Sequence, residues 1–179
     1  ISALLVVFNL VYLNGLAMTK PLTIAHRGVD NGNGVQNTIP AMVKTSKERP
    51  DYVEMDIRMT KDHQFVVMHD GNLKSLAGLN RSVASMTLRQ LTKVTVTENG
   101  YQAKIPSFNH YLNTAIKHHQ KLLIEIKTGS ADTPDLSERF YRQFGQRILT
   151  NHEQVHTLSY KVMDKLKKEH PQLFVSYIM

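Results

Sequence analysis

Along most of this chain, short apolar runs alternate with segments of helical periodicity. After Lys20 and Pro21, "LTIA" (22–25) reads as a strand that stops abruptly at His26, Arg27 and Gly28. A helix is expected from about Thr38, with Pro40 in its first turn and Pro50 ending it. "YVEMDIRM" (52–59) and "QFVVMH" (64–69) are strand-like. From Gly71 to about Ala103 the texture is irregular, broken by Gly78, Asn80 and Gly100. One short helix is expected there after Thr87, because Gln90 stands three residues on and completes a capping box. Ser107 caps "FNHYLNTAIKHH", and "KLLIEIK" (121–127) follows as a strand. A helix from about Leu136, a strand "QVHTLS" (154–159), a helix from about Tyr160 to His170 and a last strand "LFVSYIM" (173–179) complete the pattern.

Strands alternating with helices predict an α/β fold built on a parallel sheet or barrel. A complete (β/α)8 barrel takes about 250 residues. With 179 residues the expectation is an incomplete TIM-type barrel holding about the first six strands. The chain starts at Ile1, and "ISALLVVFNLVYLNGLAM" is apolar apart from Ser2, Asn9, Asn14 and Gly15. Residues 1–18 are therefore expected to be the end of a transmembrane helix, with the partial barrel over 19–179. Expressed alone, such a partial barrel is expected to be aggregation-prone and poorly active, since its last strand leaves a sheet edge uncovered.

Charge and composition narrow the chemistry only a little. There is no cysteine, which excludes disulfides, a thiolate nucleophile and thiolate zinc sites. The net charge of +7 suits an anionic partner, although "KVMDKLKKEH" alone supplies much of the excess as a solvated face. Without tryptophan or basic–aromatic interleaving, no nucleic-acid partner is expected.

The informative residues interrupt strands. Side chains two apart share a face, so Glu54 and Asp56 point one way, opposite Val53, Met55 and Ile57. Glu125 and Lys127 do the same, opposite Ile124 and Ile126. Strands of a parallel barrel are buried on both faces, so carboxylates inside them are costly unless paired or bound to a cation. Two readings follow: Glu54, Asp56 and Glu125 hold one hard divalent ion, Mg²⁺ or Ca²⁺, or they form the salt bridges Glu54–Arg58 and Glu125–Lys127. His26 and His69 both stand where a strand meets its loop, the edge at which barrel enzymes build their sites. Two histidines there can divide general-acid and general-base roles. Arg27 can grip a phosphate with its planar fork, and Gly28 allows close backbone approach. The remaining histidines, His110, His118, His119, His152, His156 and His170, are read as surface residues, and His63 as part of the turn "KDHQ".

These motifs, "IAHRG", "QNT", "VEMDIRMTKDHQFVVMHD", "IPSFNHYL" and "LLIEIK", resemble in order and spacing the glycerophosphodiester phosphodiesterase family, from about Thr23 to the end. The resemblance implies a (β/α)8 barrel with a small insertion after the second histidine, which the irregular stretch at about 71–103 resembles, and hydrolysis of glycerophosphodiesters to glycerol 3-phosphate and an alcohol. It also implies His26 and His69 as the acid/base pair, Arg27 and Lys127 at the phosphate, and Glu54, Asp56 and Glu125 as ligands of one divalent cation. Gln36 departs from the family pattern, in which a glutamate precedes Asn-Thr. Gln at that place resembles a bacterial branch with an N-terminal membrane domain, which implies a bacterial cell membrane location through the N-terminal segment. Two other readings remain beside this one: a phospholipase-type phosphodiesterase acting on intact lipid or glycerol-phosphate polymer, and a catalytically silent membrane-tethered binding module.

Overall fold

A computed structural model describes residues 21–129 and 132–178. The expected membrane segment at 1–18 lies outside these residues, and no described helix is long and apolar enough to cross a membrane.

The main sheet has six strands. Five run parallel in the order β1 (Ile24–Ala25), β2 (Tyr52–Met59), β6 (Leu122–Ile126), β7 (Gln154–Thr157) and β8 (Val175–Tyr177). The sixth, β3 (Phe65–Val67), pairs antiparallel with the C-terminal end of β2. "QFVVMH" is therefore a strand as expected, but it folds back along β2 and does not extend the parallel series. The turn at Lys61–His63, with His63 at φ 56°, is too short for the crossover a parallel partner would need.

The longer helices are α1 (Ile39–Thr45), α4 (Phe108–Lys117), α5 (Leu136–Thr150) and α6 (Tyr160–Glu169). Ser107 Oγ accepts the His110 N–H at 3.1 Å, and Ser159 Oγ accepts the Val162 N–H at 3.4 Å, so α4 and α6 start at capped serines. Apolar faces of α4, α5 and α6 pack on Val53, Met55, Ile57, Ile124, Ile126, Val155 and Val175. Phe65, Phe108, Phe140 and Phe144 form an aromatic knot beneath β3, with Phe108 and Phe144 edge-on at 4.6 Å. This burial leaves the opposite side chains of β2 and β6 facing the barrel interior.

The stretch 71–103, expected from sequence to be an insertion, contributes Leu73, Val83, Met86, Leu91 and Val96 to a small core formed together with Val35, Val66, Met68 and Ile105. It contains short helices α2 (Lys74–Ala77) and α3 (Leu88–Leu91), the latter opened by the Thr87–Gln90 capping box. It also contains a hairpin that the sequence reading treated as irregular, β4 (Thr95–Glu98) and β5 (Tyr101–Lys104). Asn99 and Gly100 both have positive φ, 52° and 79°, which suits a tight hairpin turn.

Candidate active site

Glu54, Asp56 and Arg58 alternate along one face of β2, and Leu123, Glu125 and Lys127 continue that face from β6. Asp56 is the register partner of Glu125, and Glu125 of His156. One row across three parallel strands therefore reads Asp56, Glu125, His156. Glu54, Asp56 and Glu125 are all buried.

Each buried carboxylate has partners. Lys127 Nζ lies 2.8 Å from Glu125 Oε1 and 3.2 Å from Asp56 Oδ1. Asn37 makes a two-point contact with Asp56: its Nδ2 donates to Oδ2 at 2.8 Å, and its Oδ1 accepts the Asp56 N–H at 3.0 Å. Glu54 Oε2 accepts the Arg27 backbone N–H at 2.8 Å. Of the two salt bridges weighed from sequence, Glu125–Lys127 forms, while Arg58 Nε donates instead to the His69 carbonyl at 2.7 Å.

The loop after β1 turns sharply so that Arg27 can reach these groups. Arg27 and Gly28 have φ of 54° and 66°. A Cβ on Gly28 would sit 2.7 Å from the Tyr111 hydroxyl, so only glycine fits. Arg27 Nε comes within 3.8 Å of Asp56 Oδ2, and Nη1 donates to Gln36 Oε1 at 2.7 Å. Gln36 in turn donates both its backbone N–H and its Nε2 to the Glu98 carboxylate, at 2.7 and 2.6 Å. A carboxylate of the β4–β5 hairpin thus stands one hydrogen bond beyond Gln36 from Arg27.

His26 is exposed at the rim, with Nε2 3.9 Å from Glu54 Oε2. His69 lies on the same side: the Met68 N–H donates to the Asp56 carbonyl at 3.0 Å, bringing the start of the His69 loop beside β2. His69 Nδ1 is 2.7 Å from Asp70 Oδ1. Hydrogen bonds from Ser75 and His69 hold the Asp70 carboxyl below its ordinary range, so Asp70 is ionised and only accepts. Nδ1 therefore carries the proton, and Nε2 is free. His69 lines an open cleft of about 760 Å³ together with Arg58, Asp70, Lys74, Ser75 and Asn80.

The structure thus brings together all seven residues selected from sequence, His26, Arg27, Glu54, Asp56, His69, Glu125 and Lys127, along one rim of the sheet. It corrects two of the surface assignments. His156 is mostly enclosed, with Nε2 3.8 Å from Glu54 Oε1. His170 stacks on Tyr141 and lies 3.6 Å from Glu138. His110, His118, His119 and His152 are exposed as expected.

Glu54, Glu125 and His156 offer ligand atoms that all lie within 4.8 Å of one another. Two buried carboxylates and a buried imidazole nitrogen lacking a hydrogen bond are a donor set that fits one divalent cation.

Comparison with known proteins agrees with this reading of the fold. The Glycerophosphoryl diester phosphodiesterase family model matches residues 26–169. A glycerophosphodiester phosphodiesterase of Caldanaerobacter subterraneus is 25% identical over 163 residues, covering 89% of this chain and 67% of that protein. A glycerophosphodiester phosphodiesterase from Parabacteroides distasonis has a solved structure that superposes with a TM-score of 0.70 at 25% identity, covering 86% of this chain and 63% of that one. An Oleispira antarctica phosphodiesterase, solved in complex with the product sn-glycerol-3-phosphate, superposes at TM-score 0.71 and 19% identity, covering 88% and 65%. The chain spans 46–67% of the length of the curated relatives that match more than half of it. The sheet described above is an open part of the same TIM-type barrel.

Proposed function

The chain belongs to the glycerophosphoryl diester phosphodiesterase family, and on that premise we propose that the protein hydrolyses glycerophosphodiesters to glycerol 3-phosphate and an alcohol. The observation that carries the reading is the clustering of two cations, three buried carboxylates and two histidines on one rim, with Lys127 bridging Asp56 and Glu125.

In this reading the guanidinium of Arg27, aimed by Gln36, binds the anionic phosphate oxygens, and Lys127 adds a second positive contact. Glu54, Asp56 and Glu125 would hold a divalent ion, which when bound would supply stabilisation of the charge developing on the phosphate oxygens. His69 Nε2, free because Asp70 holds Nδ1–H, accepts a proton from the attacking water, whose oxygen bonds to phosphorus as the bond to the alcohol oxygen breaks. Asp70 stabilises the imidazolium that results. His26, exposed at the rim beside Glu54, donates a proton to the departing alkoxide. The cleft beside His69 gives the alcohol room to leave. A membrane attachment through residues 1–18, in a bacterial cell membrane, belongs to the same proposal and rests on their apolar sequence.

The test is release of glycerol 3-phosphate from glycerophosphocholine and glycerophosphoethanolamine, with and without a chelator. Chelator-sensitive release establishes the activity. Release from lysophospholipid alone transfers the assignment to lipid substrates, and no release from any phosphodiester by folded, metal-supplied protein contradicts it.

A further inference from the structure

His156 has no role in the reaction just described, yet it stands in the same row as Asp56 and Glu125. Its side chain is 13% exposed, and its Nε2 is buried without a hydrogen-bond partner. A buried imidazole nitrogen left unsatisfied destabilises the fold, so it calls for a partner. The carboxylate oxygen Glu54 Oε1, at 3.8 Å, is beyond hydrogen-bond reach. An ion shared by Glu54, Glu125 and His156 satisfies all three groups at once.

The carboxylates are not equally available for such an ion. Asp56 already has Asn37 on one oxygen, Lys127 on the other, and Arg27 nearby. Glu54 accepts one backbone N–H through Oε2. Its Oε1, the atom that faces His156, has only that imidazole beside it among the described residues.

We propose that His156 Nε2 is a metal ligand, forming with Glu54 and Glu125 a mixed nitrogen–oxygen centre that prefers first-row transition ions such as Mn²⁺ and Co²⁺ over Mg²⁺ and Ca²⁺. An imidazole contributes little to binding hard ions that favour all-oxygen shells, whereas affinity at nitrogen-containing sites rises along the Irving–Williams order. The inference rests on the proposed metal-dependent reading and changes the ion expected from a purely carboxylate set.

The experiment is equilibrium dialysis of Co²⁺, Mn²⁺ and Mg²⁺ against the chelator-stripped full-length protein, H156N and H156Q, with folding of each checked by circular dichroism. Wild-type protein should bind Co²⁺ and Mn²⁺ more tightly than Mg²⁺. Both variants should lose at least the ~10–100-fold that even an outer-shell change costs a metal site, for Co²⁺ and Mn²⁺, with Mg²⁺ affinity changed less. If either folded variant binds Co²⁺ as wild type does, the inference is overturned while the metal-dependent reading stands. If wild-type protein binds no divalent ion, both fail. Should both variants be unfolded, proton NMR of the Co²⁺-loaded wild type decides: strongly shifted imidazole resonances support ligation, and their absence overturns it.

Discussion

Gln36 and Glu98 stand 62 residues apart in sequence and meet through two hydrogen bonds, with Gln36 donating through both its backbone and its side chain. Because Gln36 Oε1 accepts from Arg27, the β4–β5 hairpin reaches the guanidinium through a single intermediary. Glu98→Ala should leave Gln36 free to rotate and Arg27 less constrained. The expected effect is a KM raised roughly 10-fold with a smaller change in kcat, the cost of about one charge-assisted hydrogen bond. Gln36→Glu should set two carboxylates face to face and lower activity further. Adding Glu98→Gln to it should restore activity, and steady-state kinetics on the four proteins would measure the coupling.

Gly28 is required by its surroundings. A methyl at this position meets the Tyr111 hydroxyl at 2.7 Å, on a backbone already at φ +66°. Gly28→Ala should lower stability by about 1–3 kcal/mol. Tyr111→Phe removes the clashing oxygen and should recover part of that loss, read by denaturant unfolding of both variants.

Glu153 caps the N-terminal edge of β6 by accepting the Leu122 N–H, and burial pushes its carboxyl up from 4.5 to about 7. The unfolded chain ionises it at lower pH than the folded chain does. Its contribution is therefore fully present below about pH 4.5 and is lost as pH rises through about 7. Glu153→Gln keeps an oxygen for Leu122 and removes the titration. The stability of wild type relative to this variant should fall by about 2–3 kcal/mol between pH 4.5 and 8, measured by urea unfolding. A constant difference would contradict the assignment.

In the proposed mechanism Asp70, 2.7 Å from His69 Nδ1, acts through that histidine. Asp70→Asn leaves the ring in place but no longer favours the imidazolium, so kcat should drop ~10²-fold or more. The pH–rate profile should shift with it, while the melting temperature stays close to that of wild type, since Asp70 is partly exposed.

Local signals account for most of what was readable in the sequence. β2 falls on the predicted 52–59 because its apolar residues alternate with the very carboxylates that mark the site. α4 starts where the Ser107 cap predicts it, and α6 at Tyr160 where the helical pattern begins. The direction of β3 was hidden, because periodicity reports a strand and not the sense in which it pairs. The β4–β5 hairpin was missed although Asn99-Gly100 is a turn signal, since its strands are polar and largely exposed. Glu98 could not be connected to Gln36 without that hairpin. His156, by contrast, was within reach. The argument that made Glu54 and Glu125 conspicuous, a polar side chain on a strand buried on both faces, applies equally to it. It was passed over as one of nine histidines.

The rim of β1, β2 and β6, with its two histidines, is the proposed site of glycerophosphodiester cleavage. Phosphorus-31 NMR of glycerophosphocholine mixed with the full-length protein, His26→Asn and His69→Asn, each with Mn²⁺ or Mg²⁺, tests it most directly. The account predicts that the diester signal is replaced by that of glycerol 3-phosphate with wild type, and that each variant, though folded, converts at least ~10²-fold more slowly. Conversion by both variants at the wild-type rate would contradict it.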